Sequence, residues 1–284
     1  MTHQPPQAQF ARFQVKPLTP KIGAELHGID LSAPLDDATI GDVRAALLAY
    51  KVVFFRDQKI SRAQHIAFAR RFGALEIHPA TPAGQEDREV LRIAHGPKSR
   101  GVENSWHSDV TWRECPSLGS ILRAIELPEV GGDTAFADMG AAYEGLSPEM
   151  QRFVSGLSAV HDIARVFAKK LKTDADELRA KYPPQVHPVV RTHPETGQRS
   201  LYVNTGFTDH IVGLSRKESD WVLQHLYAQV NALEYQCRFR WEPDSIAFWD
   251  NRASQHYAVS DYFPAVRVME RVTIAGDKPF FTPD

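Results

Sequence analysis

A histidine and an aspartate two residues apart, His107 and Asp109, lie in the segment Trp106-His107-Ser108-Asp109. Side chains at positions i and i+2 of a strand project to the same face, so we expect this pair to reach one metal ion together. Imidazole and carboxylate ligands completed by a distant histidine form the facial triad of non-haem ferrous enzymes, which leaves coordination positions open for chemistry. Pairs with this spacing are also common as structural hydrogen-bonding residues, so the pair alone indicates only a candidate site.

A second segment supplies a candidate third ligand. His256 follows an apolar run that ends in Trp249-Asp250, and we expect it just past the end of a strand. Eleven positions later Arg267 opens another strand-like run. The planar fork of an arginine suits two-point pairing with a carboxylate, which an iron-chelating 2-oxo acid would present at its far end. Without the nearby histidine, a surface arginine or a structural ion pair would be the better explanation of Arg267.

Four motifs in order resemble the taurine dioxygenase family, which includes the phenoxyalkanoate-herbicide and alkylsulfatase-type dioxygenases. They are WHSD, GGDT (131–134), WDNRASQH (249–256) and the 267–279 tail that ends in GDKP. The similarity runs from about Leu18 to Phe280, nearly the whole chain.

The resemblance implies a mainly β fold with flanking helices, built on a double-stranded β-helix (jelly roll). It implies that His107, Asp109 and His256 bind Fe(II), and that Arg267 and Thr134 bind the co-substrate 2-oxoglutarate. In the implied reaction O2 oxidises 2-oxoglutarate to succinate and CO2 while a substrate carbon is hydroxylated. Halogenating relatives carry a small residue at the position of Asp109, so the carboxylate indicates hydroxylation.

The resemblance also implies a substrate pocket for a small organic anion. Arg271 lies four positions after Arg267, a spacing that returns both side chains to one face of a strand. It is expected to bind the anionic head of the substrate, and His78 matches a position that contacts the same group. Phe167 and Phe207 match aromatic positions of the pocket wall. For each of the four, a plain structural role is the alternative.

Three positions depart from the taurine enzymes. Thr81 replaces a tyrosine, Glu103 an asparagine and Val166 a serine. The contacts that would recognise the amine of taurine are therefore altered, and a larger or more apolar body on the anion is expected. Sulfonates, sulfate esters and aryloxyalkanoates remain open as substrates.

Two other classes of function fit parts of the sequence. A non-oxidative cupin-like isomerase or ligand-binding protein would explain the histidines and the aspartate, but not Arg267, Thr134 and their spacing. An oxygenase that modifies macromolecules is disfavoured, because a net charge of −2 and the lack of a basic stripe predict no nucleic-acid binding.

Secondary structure follows from periodicity and capping residues. Helices are predicted at 36–50, 61–72 and 215–230. The second helix has a Ser61–Gln64 capping box at its N-terminus and Gly73 as its expected C-terminal cap. The third helix has a Ser215–Glu218 capping box. Strands are predicted at 52–55, 118–125, 134–137, 186–192, 200–204, 236–241, 245–249 and 267–275, with a hairpin turn at 195–198.

The chain of 284 residues is predicted to form one oxygenase domain over 10–284, with a disordered lead-in at 1–9. The charged stretch 167–184 is predicted to be a mobile insertion or lid. No apolar run is long enough to span a membrane, and the N-terminus lacks the apolar segment of a signal peptide. Two cysteines form no disulfide framework, so a cytoplasmic location is expected, with a homodimer or homotetramer as the family-level assembly.

Overall fold

The computed structural model describes residues 10–79, 81, 84–101 and 104–283. The predicted lead-in at 1–9 lies outside this range. The strands, in chain order β1 to β15, are Gln14–Pro17, Ala24–His27, Val52–Phe55, Val90–His95, Gly119–Glu126, Thr134–Asp138, Ser158–His161, Gln185–Pro188, Val190–Thr192, Arg199–Leu201, Thr208–Ile211, Gln236–Phe239, Ile246–Asp250, Ser254–Ala258 and Arg267–Ile274. The helices, α1 to α7, are Asp37–Tyr50, Arg62–Arg70, Met139–Glu144, Pro148–Ser155, Ala164–Leu171, Ala175–Lys181 and Arg216–Ala228. The fold is mainly β with flanking helices.

The strands form one large sheet and three small ones. The large sheet has seven strands in the order β1-β2-β3-β13-β5-β15-β4. A three-stranded sheet, β12-β6-β14, lies against one of its faces, and an apolar cluster that includes Phe54, Phe136 and Trp249 fills the space between the two sheets. Further sheets, β11-β7-β8 and β10-β9, complete the structure. The face-to-face pair of sheets encloses the space in which the candidate site lies.

Both faces of the large sheet are covered, which explains its continuous apolar runs. In β13, Ile246 and Phe248 pack with helices α1 and α2, whereas Ala247 and Trp249 face the small sheet. The predicted strand Val52–Phe55 alternates in the same way and is buried throughout. Strands buried on two sides need apolar residues at every position rather than at every second one.

The three predicted helices are present, with their expected N-terminal caps. The Asp36 carboxylate accepts a hydrogen bond from the Thr39 amide, and both Ser61 and Ser215 form capping boxes. The expected cap at Gly73 is wrong, because α2 ends at Arg70 and Arg71 is its C-terminal cap in a right-handed helical conformation. The chain has already left the helix before it reaches the glycine.

The predicted strand at 186–192 is interrupted at Val189. There the chain passes from β8, which pairs with β7, to β9, which pairs with β10, and the Val189 amide bonds to the Leu157 carbonyl. The hairpin predicted at 195–198 is confirmed by the antiparallel pairing of β9 with β10. Within the described residues, no helix is long and apolar enough to cross a membrane.

The predicted insertion at 167–184 contains most of α5 and all of α6. Residues of these helices, among them Phe167 and Leu178, belong to one apolar cluster with Val110, Trp112 and Phe207. Val110 and Trp112 closely follow Asp109 in the chain, and the Phe207 ring contacts His107. The segment therefore covers one side of the candidate site. Its mobility and the single-domain organisation stay predictions.

Candidate metal centre and carboxylate-binding niche

His107 and His256 lie directly opposite each other. Their backbones form an isolated bridge, with the His107 amide donating to the His256 carbonyl at 3.1 Å and the reverse bond at 2.9 Å. The two imidazole rings are 4.3 Å apart, centre to centre. This pairing brings together two histidines that are distant in the sequence.

The local backbone differs from the sequence prediction at two points. His107 and Asp109 do not lie on a regular strand: His107 makes a single bridge, and Asp109 enters a turn in which Val110 has φ +48°. His256 is not past a strand end but inside β14, after the tight turn that joins β13 to β14. The side chains nevertheless converge, because the turn redirects Asp109 toward the histidine pair.

The three predicted ligands form one cluster. Asp109 Oδ1 lies 4.0 Å from His107 Nε2 and 3.9 Å from His256 Nε2, and the ligand atoms of all three residues lie within 4.8 Å of one another. Asp109 and His256 are buried, and the His107 side chain is nearly so. Among the described residues, no other group of three or more His, Cys, Asp or Glu side chains is arranged to hold a metal ion.

The orientation of His107 and the protonation state of His256 suit metal ligation. The His107 Nδ1 atom is 2.8 Å from the Ser105 carbonyl oxygen, which can only accept, so Nδ1 donates and Nε2 is the ring atom turned toward the cluster. Burial, with help from His107, lowers the pKa of His256 to about 3. His256 is therefore neutral near pH 7 and available as a ligand.

Both oxygens of the Asp109 carboxylate have protein partners, and Oδ1, which accepts from Arg271 Nη1, also faces the two imidazoles. Its Oδ2 accepts from the Ser120 hydroxyl at 2.8 Å, and the Asn251 amide oxygen accepts from the Asp109 backbone N–H at 3.1 Å. Burial raises the pKa of Asp109, but Arg271 and the two imidazoles more than offset this, so the pKa lies well below its ordinary value. The carboxylate is ionised, with Oδ1 turned toward both imidazoles.

This donor set fits a divalent transition metal. Two neutral imidazoles and one ionised carboxylate are the nitrogen and oxygen ligands of non-haem ferrous centres, and three protein ligands leave further positions for other molecules. The outer contacts from Ser105, Ser120 and Asn251 fix the orientation of the ligands, as the surroundings of metal sites usually do.

Arg267 and Thr134 lie together in a second part of the same space. Trp241 donates its indole N–H to the Thr134 hydroxyl oxygen at 2.9 Å, and the Arg267 guanidinium lies 5.9 Å from the Trp241 ring centre. Arg267 also donates from Nε to the Gly132 carbonyl at 3.0 Å, and both predicted co-substrate residues are buried. We call this group, formed by Gly132, Thr134, Trp241, Tyr262 and Arg267, the carboxylate niche.

Gly132 is needed for the close approach of Arg267. Its φ is +71°, and a Cβ atom there would lie 2.9 Å from Arg267 Cδ and 3.0 Å from Nε. Any larger residue would displace the arginine from the niche. This gives a structural reason for the second glycine of the GGDT motif.

Strand pairing relates the niche to the metal cluster. In the small sheet His256 is opposite Phe136, and Thr134 is opposite Ala258, so Thr134 and His256 are diagonal neighbours on one face. Such neighbours are about 7–8 Å apart. Arg267 and Arg271 share the facing side of β15, on either side of Met269, which packs between the sheets. The niche and the cluster thus lie at the two ends of a short space that a small dicarboxylate could bridge.

Arg271 contacts the metal cluster directly. Its Nη1 donates to Asp109 Oδ1 at 2.6 Å, and its buried Nε makes no hydrogen bond to any residue that the structure describes. His78, Phe167 and Phe207 form a row that leads to His107, with successive ring centres 6.0, 6.3 and 6.3 Å apart. Arg271 and Phe207 therefore contact the metal cluster, and Phe167 and His78 lie progressively farther from it along the row.

Of the three departures from taurine enzymes, two can be located. Thr81 is buried, and its amide bonds to the carbonyl of His78. Val166 lies beside Phe167 and faces Gly206, the residue before Phe207. Glu103 lies outside the described residues.

Sequence reasoning missed the residues that orient the ligands. Ser120 is a polar residue in an otherwise apolar strand, and Asn251 immediately follows the buried strand β13. For both Ser120 and Asn251, a single polar residue in or beside an apolar strand is the sequence feature that could have indicated a role near the ligands. Trp241 falls within the predicted strand at 236–241, and nothing in its local sequence indicates that it contacts Thr134.

Comparisons with known proteins agree with this geometry. Residues 14–273 match the family described as "Taurine catabolism dioxygenase TauD, TfdA family". The chain is 38% identical over 275 residues to the alpha-ketoglutarate-dependent sulfate ester dioxygenase of Pseudomonas putida, covering 93% of this chain and 90% of that protein. It is 37% identical over 276 residues to an alkylsulfatase of Acinetobacter baylyi, covering 94% and 86%.

A solved structure of a taurine dioxygenase from Burkholderia xenovorans is 39% identical and superposes with a TM-score of 0.83, covering 95% of this chain and 91% of that chain. This chain therefore belongs to the TauD/TfdA family of dioxygenases.

Proposed function

We propose that this chain is an Fe(II)- and 2-oxoglutarate-dependent dioxygenase that oxidises a small organic anion. Sulfate esters are the first candidates, because the two curated relatives described above are a sulfate ester dioxygenase and an alkylsulfatase. Sulfonates and aryloxyalkanoates are the alternatives. The family membership disfavours a non-oxidative cupin-like protein.

The observation that carries the proposal is the pairing of two sites in one space between the sheets. His107, Asp109 and His256 form the metal cluster, and Arg267 with Thr134 forms the niche one diagonal step away. A metal centre alone would suit many proteins. A buried arginine at this separation suits a co-substrate with one chelating end and one free carboxylate.

In the proposed reaction the three ligands hold ferrous iron, which supplies, with 2-oxoglutarate and O2, the oxidant that hydroxylates a substrate C–H bond. Arg267 and the Thr134 hydroxyl bind the far carboxylate of 2-oxoglutarate. Arg271 and His78 bind the anionic head of the substrate, and Phe167 and Phe207 contact its carbon chain. The protein contributes binding, orientation and exclusion of water.

For a sulfate ester the products balance without another reactant. Hydroxylation of the carbon next to the ester oxygen gives a hemiacetal sulfate, whose C–O bond to sulfate breaks as its hydroxyl proton leaves. The products are an aldehyde, sulfate, succinate, CO2 and one proton. One atom of O2 enters succinate, and the other enters the hydroxylated substrate.

We also propose that the two facing sheets are a double-stranded β-helix within a single oxygenase domain at 10–284. The face-to-face packing of β12-β6-β14 on the large sheet and the superposition on family structures support this. The homodimer or homotetramer and the cytoplasmic location stay predictions. Light scattering of the purified chain would determine the assembly.

The test is succinate release with Fe(II), 2-oxoglutarate and O2 against alkyl sulfates, alkyl sulfonates including taurine, and aryloxyalkanoates. We expect substrate-dependent succinate, largest with an alkyl sulfate and accompanied by equimolar sulfate. The Asp109→Ala variant should fall to background, since it removes the carboxylate ligand. Preference for taurine over every bulkier anion would contradict the substrate proposal, and unchanged turnover in Asp109→Ala would contradict the iron site.

A further inference from the structure

A group of buried polar side chains contacts the segment that follows Asp109 and is not used by the proposed reaction. It consists of His161 at the end of β7, His187 in β8, Arg191 in β9 and Tyr202 just after β10. All four are at most 4% exposed. We call it the inner polar cluster.

The rings of this cluster face one another. The His161 and His187 ring centres are 5.3 Å apart, and each lies 6.0 Å from the centre of the Tyr202 ring. The Arg191 guanidinium lies over the Tyr202 ring at 5.0 Å. Strand register explains the histidine contact, because His187 pairs with Ala159, two residues before His161, so both side chains lie on one face.

Several polar atoms of the inner polar cluster have no hydrogen-bond partner among the residues that the structure describes. By hydrogen-bond geometry they are His161 Nε2, His187 Nδ1, Tyr202 Oη and Arg191 Nε and Nη1. Arg191 still interacts with the Tyr202 hydroxyl, because it opposes the rise that burial causes in the pKa of Tyr202. The remaining bonds are known: Arg191 Nη2 pairs with Asp277 at 2.7 Å, and His161 Nδ1 contacts the Thr111 hydroxyl at 2.9 Å. Five orphaned polar atoms on four adjoining buried side chains are exceptional in a native protein, where such groups are nearly always satisfied.

The chemistry of the free positions points to a particular ligand. His187 Nε2 lies 2.9 Å from the Arg113 carbonyl, which can only accept, so the proton is on Nε2 and Nδ1 offers a lone pair. Burial lowers the pKa of His187 to about 4, which keeps that lone pair free near pH 7. Arg191 offers N–H donors, and the Tyr202 hydroxyl can donate and accept.

A site that combines donors with an acceptor suits water. A small anion could accept from Arg191 and Tyr202 but would be repelled by the lone pair of His187. A cation would be repelled by Arg191. Water both donates and accepts, and buried waters typically make about three bonds to groups of this kind.

We propose that the inner polar cluster binds one or more ordered water molecules that bridge Tyr202, His187 and Arg191. This internal hydration site supports the chain that follows Asp109, because His161 contacts the Thr111 side chain and His187 bonds to the Arg113 carbonyl. Thr111 also accepts from Asn204 at 3.1 Å, and the Asn204 oxygen holds the Phe207 amide at 2.8 Å. The hydrated cluster is thus a positioning device for the metal turn and the Phe207 loop.

A crystal structure of the full chain at a resolution that shows ordered water tests the proposal. We expect at least one water within hydrogen-bonding distance of both Tyr202 Oη and His187 Nδ1. Crystals soaked in bromide provide the second arm, and we expect no anomalous peak in the cluster. A bromide peak there, or an absence of water density, would overturn the proposal.

The variant Tyr202→Phe gives an independent test in solution. Phenylalanine keeps the ring under Arg191 and removes only the hydroxyl. If water satisfies that hydroxyl, its loss should lower the melting temperature by about 2–4 °C, the shift for one buried hydrogen bond in a domain of this size. If the hydroxyl were unsatisfied, its removal would raise the melting temperature, and that result would refute the hydration site.

The matched control is Tyr143→Phe. Tyr143 is also buried, and its hydroxyl has a protein partner, Ser155 Oγ, at 3.1 Å. Its melting temperature should fall by a similar amount, which calibrates the cost of one lost tyrosine hydrogen bond in this protein. A fall in the control without any fall in Tyr202→Phe would likewise contradict the proposal.

Discussion

Strand β15 carries charged residues on both of its faces, and the two faces use them differently. On the side that faces helix α2, Glu270 is 2% exposed and is paired with Arg62 and Arg123. On the side that faces the small sheet, Arg267 lies in the carboxylate niche, and Arg271 reaches the metal cluster while its Nε has no bond to any described residue. Burial of charge is common to both sides. The difference lies in the partners: two arginines neutralise Glu270, whereas Arg271 shares the single carboxylate of Asp109 with two imidazoles.

Glu270 is a charge that stabilises the fold, and the guanidinium of Arg271 is a charge placed beside the metal cluster, where a ligand can reach it. Glu270 lies between two arginines, and the Arg123 guanidinium donates to the same Glu270 oxygen from both Nε and Nη2. Arg271 shares one oxygen of Asp109 with two imidazoles, so its charge is only partly neutralised by that contact. We therefore expect substitutions on the two faces to change different measured quantities.

On the side of β15 that faces the small sheet, the largest effect is expected for Arg267→Lys. A lysine keeps the charge but loses the planar fork, so the KM for 2-oxoglutarate should rise by about 10–100-fold, equivalent to about 1.4–2.8 kcal/mol. The measurement is succinate formation at varied 2-oxoglutarate. The control co-substrate is 2-oxobutanoate, which lacks the far carboxylate and whose KM should hardly change. An equal rise in KM for both 2-oxo acids would contradict the assignment of Arg267.

A smaller effect is expected for Ser120→Ala. The Ser120 hydroxyl holds Asp109 Oδ2, and loss of such an outer contact typically weakens metal affinity by about 10-fold or somewhat more. Calorimetric titration with Mn(II) measures this directly, without turnover. The control is Ser245→Ala, since Ser245 is equally buried but bonds to Arg56, away from the metal cluster. Equal loss of affinity in both variants would show that the effect is not specific to Asp109.

The metal site was only partly predictable from the sequence. His107, Asp109, His256, Thr134 and Arg267 could be proposed from motif order, and the strands at 52–55 and 267–274 from apolar runs. The turn at Asp109 could not be predicted from the sequence, because the two-residue spacing of His107 and Asp109 fits a strand equally well. The turn also depends on the bridge between His107 and His256, which are far apart in the chain. The contact between Arg271 and Asp109 also depends on tertiary packing, which local patterns do not encode.

On the helix-facing side, Glu270→Gln should change stability rather than function. Removing the negative charge leaves Arg123 without its counter-ion, at a cost of about 2–3 kcal/mol, below the range for fully buried pairs because Arg62 is partly exposed. Urea unfolding measures the free energy, and Mn(II) affinity should stay unchanged in the folded variant. A large loss of metal affinity without loss of stability would contradict the division between the two faces.

A pH-dependent effect is expected for His65, a residue of α2 whose ring contacts the Ile121 carbonyl of the large sheet. Burial, reinforced by Arg123 and opposed by the Ile121 carbonyl and Glu270, lowers the pKa of His65 to about 4 from an ordinary value of 6.5. The unfolded chain therefore takes up a proton on this histidine at a higher pH than the folded chain. Stability should fall as the pH drops from about 6.5 toward 4, by at most about 1.4 kcal/mol per pH unit for this group.

The comparison of wild type with His65→Gln isolates this contribution. The urea midpoint of the variant should depend less steeply on pH between 7 and 5 than that of the wild type. Identical pH dependence would show that His65 keeps an ordinary pKa in the folded protein.

The central claim is that one space between two sheets holds both a metal centre and a 2-oxoglutarate site. Anaerobic titration of 2-oxoglutarate into the Fe(II)-loaded chain tests it most directly. Binding is monitored by the visible charge-transfer absorption of an iron-chelated 2-oxo acid. We predict one equivalent bound per chain in the wild type and no such absorption in His256→Ala. Binding of 2-oxoglutarate that is independent of the metal, or an unchanged absorption in His256→Ala, would contradict the claim.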